Sequence, residues 1–302
     1  MKVLVTGASG YIGGSVASAL LAAGHRVVGL VRSEERAAEV QGRGIEPLVG
    51  TLDHGSLLAD AARDADAVIN AANAEHRGAV EAILPALAGS DRPFLQTSGS
   101  SIVADLAAGE RSDKVYDEDT PVHPLPGRKE RVALNDAVLA AAARRVRAVV
   151  ICPSLIYGAG RGVNASSIQI PWLVALAKKH GVPKHIGRGL NIWSNVHIDD
   201  LVDLYLLALD KAPPGAFYYV ENGENSIREA CQAIGRMLGL GERTEPMTLA
   251  EAAALWGEGA ANYTMGSNSR VRAVRARREL GWAPHRPSLL EDIEHGSYRV
   301  AV

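Results

Sequence analysis

"TGASGYIGG", residues 6–14, decides how the rest of the chain is read. It follows a short apolar run, "KVLVTG" (2–7), and opens a helical pattern that ends near Gly24. Gly7, Gly10 and Gly13 let the backbone turn sharply and bring a helix N-terminus up to a pyrophosphate, which free N–H groups and a partial positive charge would bind. A second strand-like run, "RVVGLV" (26–31), completes the pattern expected of a strand–helix–strand unit that holds a dinucleotide.

Outward from this unit the alternation continues. "IEPLVG" (45–50), "AVINAA" (67–72), "PFLQTS" (93–98) and "RAVVIC" (147–152) are short apolar runs separated by helix-like segments rich in alanine and leucine. Near-continuous apolar strands between helices predict a parallel sheet covered on both faces, a doubly wound α/β fold. After Pro153 the rhythm changes to longer loops, with helices expected near 167–179, 226–239, 248–255 and 270–280 in a smaller lobe. The segment 196–210, "VHIDDLVDLYLLALD", carries a leucine stripe with aspartates placed to cap a helix, and is expected to return to the main domain. The expected boundaries are a nucleotide-binding domain over 1–155, rejoined by about 191–212, and a substrate-binding lobe over 156–190 and 213–302.

Composition narrows the partners. With 302 residues and 47% apolar content the chain can bury a large core, and 32 basic residues nearly cancel 34 acidic ones. No broad basic surface points to nucleic acid or an anionic membrane, so a small-molecule substrate is the expected partner. Cys152 and Cys231 are the only cysteines, too few for a disulfide framework or a compact zinc motif, and no metal is expected. No apolar run approaches the roughly 20 residues that span a bilayer, and the chain is expected to be soluble and cytoplasmic.

The end of the second strand discriminates between dinucleotides. It reads "GLVRS" (29–33), with Arg32 where an acidic residue would bond a ribose 2′-hydroxyl. The guanidinium fork of Arg32 suits a 2′-phosphate, and Ser33 is placed to add a hydroxyl or to cap the next helix. NADP(H) is therefore expected in preference to NAD(H). Asp53, in "GTLDHGSL" (50–57), is placed either to bond the adenine amino group or to cap the following helix.

These stretches, together with "DAVINAA" (66–72), "TSGSS" (97–101), "DEDTP" (117–121), "RAVVICPSLIYG" (147–158), "WSNVHIDDL" (193–201) and "RARRELGWAP" (275–284), resemble the extended short-chain dehydrogenase/reductases, the NAD-dependent epimerase/dehydratase family, over almost the full length. The resemblance implies a Rossmann domain with a C-terminal substrate lobe, a nicotinamide cofactor and a homodimer packed through two helices of each subunit. It implies cofactor contacts from Gly7, Ser9, Gly10, Tyr11, Ile12 and Gly13, and from Arg32, Ser33, Asp53, Ala71, Ala72, Thr97 and Pro153.

In that family a serine or threonine and a Tyr-x-x-x-Lys pair carry the reaction. The tyrosine hydroxyl exchanges a proton with the substrate oxygen while the nicotinamide exchanges a hydride. Counting back from Pro153 by the family's spacing lands in "LPGRKER" (125–131), with Gly127 at the tyrosine position and Arg131 at the lysine position. An alternative register gives Leu125 and Lys129, and neither restores a tyrosine. The serine position falls on Gly99, with Ser98 and Ser100 as its neighbouring candidates. Tyr157 and Tyr116 are the candidate stand-ins for the proton donor, and Arg131 or Lys129 for the group that holds the ribose or polarises a substrate oxygen. In the lobe, Tyr116, Asn191, Trp193 and His197 offer flat surface and donors for a polar ring or small carbonyl compound. Trp172, Trp256 and Trp282 are expected to be core.

The expected activity is hydride transfer to or from a small carbonyl or alcohol without the standard pair. A catalytically silent NADP(H)-binding sensor and a nucleotide-sugar epimerase or dehydratase, with Arg270 or Arg272 on a diphosphate, are the alternatives.

Overall fold

The computed structural model describes residues 1–299. The chain runs through β1 (Lys2–Thr6), α1 (Tyr11–Ala22), β2 (Arg26–Val31), α2 (Glu34–Gln41), β3 (Glu46–Val49), α3 (Gly55–Asp64), β4 (Ala67–Asn70), α4 (Arg77–Leu87), β5 (Pro93–Thr97), α5 (Lys129–Ala140) and β6 (Arg147–Pro153). There follow β7 (Leu155–Tyr157), α6 (Gln169–His180), β8 (Lys184–Ile186), β9 (Ile192–His197), α7 (Ile198–Lys211), β10 (Ala216–Val220), β11 (Glu224–Ser226), α8 (Ile227–Met237), β12 (Glu245–Met247), α9 (Leu249–Trp256), a short turn α10 (Glu258–Ala260), α11 (Val274–Leu280) and α12 (Leu289–His295).

Seven strands form one parallel sheet in the order β10-β6-β5-β4-β1-β2-β3. Alternate residues on each strand serve opposite faces. Val3, Val5, Ile69, Leu95, Val149 and Ile151 pack beneath α1 and α7, against Val16, Leu20, Leu201 and Tyr205. Leu4, Val68, Phe94 and Val150 face the other way, onto Leu58, Ile83, Leu134 and Val138 of α3, α4 and α5. Both faces are thus covered, and the strands are apolar throughout for that reason.

The chain returns to the main body in α7, and it stays there through β10, which pairs with β6 at the sheet edge. By strand pairing the main sheet takes in residues up to 220, beyond the 212 expected from sequence; β9 joins β7 and β11 in a small separate sheet, and Val196, Ala276, Leu280 and Trp282 also pack into the main core. The cap of α7 also differs from the sequence expectation. The His197 side chain accepts the Asp199 amide at 3.1 Å, while Asp199 and Asp200 lie in the first turn, where carboxylates complement the helix dipole. Buried Asp200 instead accepts the amides of His285 and Arg286 at 3.0 and 3.2 Å and ties the C-terminal segment to α7. Among the described residues, no helix is long and apolar enough to cross a membrane.

The lobe has its own core, built from Tyr157, Leu173, Trp193, Ile234, Met265 and Ile293 among others. Trp172 and Trp256 stack there with ring centroids 5.7 Å apart, and buried Trp282 donates its indole N–H to the Asp200 carbonyl at 2.8 Å.

Candidate active site

The strand order reverses between β1 and β4, which opens a crevice at their carboxyl ends, the usual ligand position in such sheets. A buried side-chain ladder sets its floor. Thr6 donates to Asn70, whose amide donates to Gln96 at 2.8 Å, and the Ala71 amide donates back to Thr6 at 3.2 Å. These bonds lock the ends of β1, β4 and β5 to one another at the switch point.

Above the floor lies a cleft of about 400 Å³ lined by Gly7, Ser9, Gly10, Arg32, Arg36, Thr51, Leu52, Ala71 and Ala72 among others. No side chain caps α1, whose cap residue Gly10 lines the cleft, so the first-turn N–H groups there have no side-chain acceptor. This donor set fits a dinucleotide phosphate. At the far end Arg32 is exposed and makes no hydrogen bond or ion pair among the described residues. Arg36 shares that end and pairs with Glu39 at 2.6 Å, one helical turn on. Arg36 has a sequence signal, its place on the first turn of the helix that follows Arg32. Ser33 caps α2 by accepting the Arg36 amide at 3.3 Å. Asp53 lies outside the lining; its carboxylate bonds His76 at 3.1 Å, and His54 rather than Asp53 occupies the cap position of α3.

Of the remaining loop and strand-end residues, Tyr11 donates its hydroxyl to the Gly158 carbonyl at 2.7 Å, and Ile12 packs against the core beneath α1. The Thr97 hydroxyl bonds Tyr205 of α7 at 2.5 Å, and Pro153 ends β6.

The other half of the site gathers around the start of α5. Arg131 reaches across to the turn after β5, donating to Ser101 Oγ at 2.9 Å and pairing with Glu75 at 2.7 Å, while its Nε is buried without a partner. Arg128 donates from Nε to the same Ser101 oxygen at 3.0 Å, and its guanidinium lies 4.6 Å from the centre of the Tyr263 ring. Burial, with the charge of Arg131 beside it, pulls Arg128 below the ordinary arginine value. Lys129 is exposed at the helix start, whereas the Arg131 side chain is largely enclosed between Ser101 and Glu75. Ser98 accepts from Asn135 at 3.0 Å, and Ser100 accepts from Ser269 at 2.8 Å; both are buried. Burial pushes the neighbouring Cys152 thiol up to about 12, so it stays protonated and inert near neutrality. Glu75 and Tyr263 belong to this cluster without any sequence motif to mark them, while Ser101 and Arg128 fall within "TSGSS" and "LPGRKER" but are not singled out there.

Of the two tyrosines named from sequence, Tyr157 lies in the lobe, whereas Tyr116 packs beside this cluster, against Ile102, Val103 and Cys152. Tyr157 is buried in the lobe, edge-on to His197 with centroids 5.4 Å apart, and donates its hydroxyl to the Pro287 carbonyl at 2.7 Å. Tyr116 is buried in a bridge to Val271. Asn191 and Trp193 are struts as well: the Asn191 amide donates to the carbonyls of Met265 and Ser267 at 3.0 and 2.8 Å, and the Trp193 indole to Ser267 at 2.7 Å. They hold the 265–269 segment rather than a cleft wall.

Arg270 and Arg272 converge on Glu224. Arg270 grips it with two bonds of 3.1 and 2.7 Å, and Arg272 adds a third at 3.0 Å. These bonds draw the Glu224 carboxyl from its ordinary 4.5 down to about 2. Because the folded value lies below the unfolded one, the stabilisation is complete above about 4.5 and lost as pH falls toward 2. Glu224→Gln is expected to cost about 1.5–3 kcal/mol at neutral pH, since it strips a nearly buried arginine of its charged partner. In urea melts the gap between wild type and variant should close across that acid window; equal midpoints at neutral pH would show that the cluster contributes nothing.

The profile of the NAD-dependent epimerase/dehydratase family matches residues 3–220. An oxidase, UcsJ, from an Acremonium species is 34% identical over 340 residues, spanning 97% of this chain and 95% of that protein. A 4-hydroxy-2-methyl-3-oxo-4-farnesyl-3,4-dihydroquinoline-1-oxide ketoreductase from Stigmatella aurantiaca is 30% identical, with 94% and 92% covered. Among solved structures, a dTDP-glucose 4,6-dehydratase from Bacillus anthracis in complex with NAD superposes with a TM-score of 0.75 at 19% identity, over 97% of this chain and 95% of that one. A glycine loop at the switch point, a parallel sheet covered on both faces and the matching profile converge: the chain belongs to the NAD-dependent epimerase/dehydratase family.

Proposed function

We propose that this chain is an NADP(H)-dependent oxidoreductase that interconverts a small carbonyl compound and its alcohol. The observation that carries the cofactor reading is the pair Arg32 and Arg36 at the far end of the glycine-loop cleft, one of them with its charge unspent. Two relatives named as an oxidase and a ketoreductase support the reaction class.

In this reading the α1 amides and Ser9 hold the pyrophosphate, Arg32 and Arg36 the 2′-phosphate, and Thr51 and Leu52 flank the adenine. A nicotinamide bound there supplies the hydride-exchanging carbon. Arg131 stands where the family carries lysine and is built to hold ribose hydroxyls and the substrate oxygen by charge alone, because a guanidinium does not give up its proton near neutrality. Ser98 or Ser100 offers a hydroxyl at the end of β5, steadied by Asn135 or Ser269. Nucleotide-sugar chemistry is less well served, since Arg270 and Arg272 are spent on Glu224.

The test titrates purified protein with NADPH and NADH by calorimetry, then follows NADPH oxidation against a panel of aldehydes and ketones. NADPH is expected to bind at least about tenfold more tightly, a difference near 1.4 kcal/mol, with turnover on at least one carbonyl. Equal affinity would overturn the cofactor assignment; tight binding with no turnover would favour a sensor.

A further inference from the structure

We propose that Tyr263 is the proton-donating group of this site, delivered from the C-terminal lobe into the place left by the missing tyrosine. The proposal rests on the oxidoreductase reading above. A Cβ built on Gly127 would lie 2.9 Å from Cε2, Cζ and Oη of Tyr263. The head of the phenol thus rests on the backbone at the family's tyrosine position, and no side chain fits there while it does. Glycine at 127 is the counterpart of a tyrosine at 263.

Residues Ala261–Met265 form a π-helical turn, a geometry that is rare and recurs at functional sites. Its ends are sunk in the lobe core at buried Ala261 and Met265, and the Asn191 amide holds the Met265 carbonyl at 3.0 Å. The middle of the turn projects outward with Tyr263 on it. Arg128 then fixes the ring from one side by a cation–π contact at 4.6 Å. Through Ser101, which accepts from both Arg128 and Arg131, the phenol is tied to the same cluster as the residue in the lysine's place.

Availability separates Tyr263 from the other tyrosines. Of eight, only Tyr11 and Tyr263 are not buried, and the Tyr11 hydroxyl is spent on the Gly158 carbonyl. The Tyr263 hydroxyl makes no hydrogen bond among the described residues. In the reducing direction the carbonyl carbon would gain the hydride given up from the C–H bond of the dihydronicotinamide of NADPH, leaving NADP⁺, and the carbonyl oxygen would take the electron pair of the broken π bond. The Tyr263 O–H then breaks and its proton goes to that oxygen. The phenolate left behind is balanced by the Arg128 charge and regains a proton from water.

The first test needs no turnover. Tetranitromethane nitration of Tyr263, mapped by mass spectrometry, is expected in the free protein and to fall about tenfold with saturating NADPH. The fragment 2′,5′-ADP, which fills only the adenosine end, should give no protection. In the second test Tyr263→Phe, which keeps the ring and its contact with Arg128, is expected to lose about 10²–10⁴-fold in kcat while binding NADPH as wild type does. Bound NADPH that leaves nitration unchanged, or a Tyr263→Phe variant with wild-type kcat, overturns this assignment alone. Absence of NADPH binding, or a wild type inactive on every carbonyl, removes the oxidoreductase reading and this assignment with it.

Discussion

Gly13→Ala is expected to abolish dinucleotide binding while leaving most of the fold intact. The added Cβ would fall 2.3 Å from the Gly7 carbonyl oxygen and 2.8 Å from its carbon, and both are backbone atoms that no rotamer change can move aside. The Gly7 carbonyl also accepts the Gly10 amide at 2.8 Å, so pushing it away opens the turn that aims the α1 amides. Hydrogen bonds to a charged group contribute about 1.5–3 kcal/mol each, and losing two of them lowers affinity by about 10²–10⁴-fold. Overpacking at a helix start buried against β1 should cost about 1–3 kcal/mol of stability besides. Calorimetry with NADPH and NADH, paired with a thermal melt, separates the two effects. A folded variant that binds either dinucleotide like wild type would show that the glycine loop is not the phosphate site.

What the sequence made legible was everything that local chemistry dictates. Gly7, Gly10 and Gly13 are readable because backbone geometry at a turn leaves few substitutes, and the apolar runs are readable because a strand covered on both faces has no polar side to show. Arg32 is readable for the same local reason, since it lies at a strand end whose position the glycine loop already fixes. The second half of the site was opaque because it is assembled from distant pieces. Glu75 comes from the loop after β4, Ser101 from the turn after β5, Arg128 from the start of α5 and Tyr263 from a turn 136 positions after Gly127. No spacing rule links these, and "LPGRKER" looked like a loss because its glycine makes sense only beside the ring of Tyr263. Conversely, Asn191, Trp193 and His197 have the composition of a binding surface, yet the Asn191 amide and the Trp193 indole donate to backbone carbonyls of the 265–267 segment and His197 caps α7. Residue type alone does not distinguish a donor aimed at a ligand from one aimed at a backbone carbonyl.

Arg32→Asp is expected to reverse the dinucleotide preference proposed here. Arg32 carries an unpaired charge into the cleft at the end of β2, whereas Arg36 already pairs with Glu39. Removing the guanidinium takes away one or two charge-assisted bonds to a 2′-phosphate, and the new carboxylate repels it while gaining an acceptor for a 2′-hydroxyl. Each lost bond is worth about 1.5–3 kcal/mol, so NADPH affinity should fall by about 10²-fold or more, with NADH unchanged or tighter. Arg36→Ala should weaken NADPH less, because its charge is shared with Glu39, and the double variant should lose discrimination altogether. Raising salt should narrow the NADPH-over-NADH gap in the wild type but hardly affect the double variant, since screening acts on the exposed charges that set the gap. Calorimetric Kd values for both dinucleotides across the three variants and two salt concentrations decide the matter: an unchanged ratio in Arg32→Asp would show that the 2′-phosphate is not read at this end of the cleft.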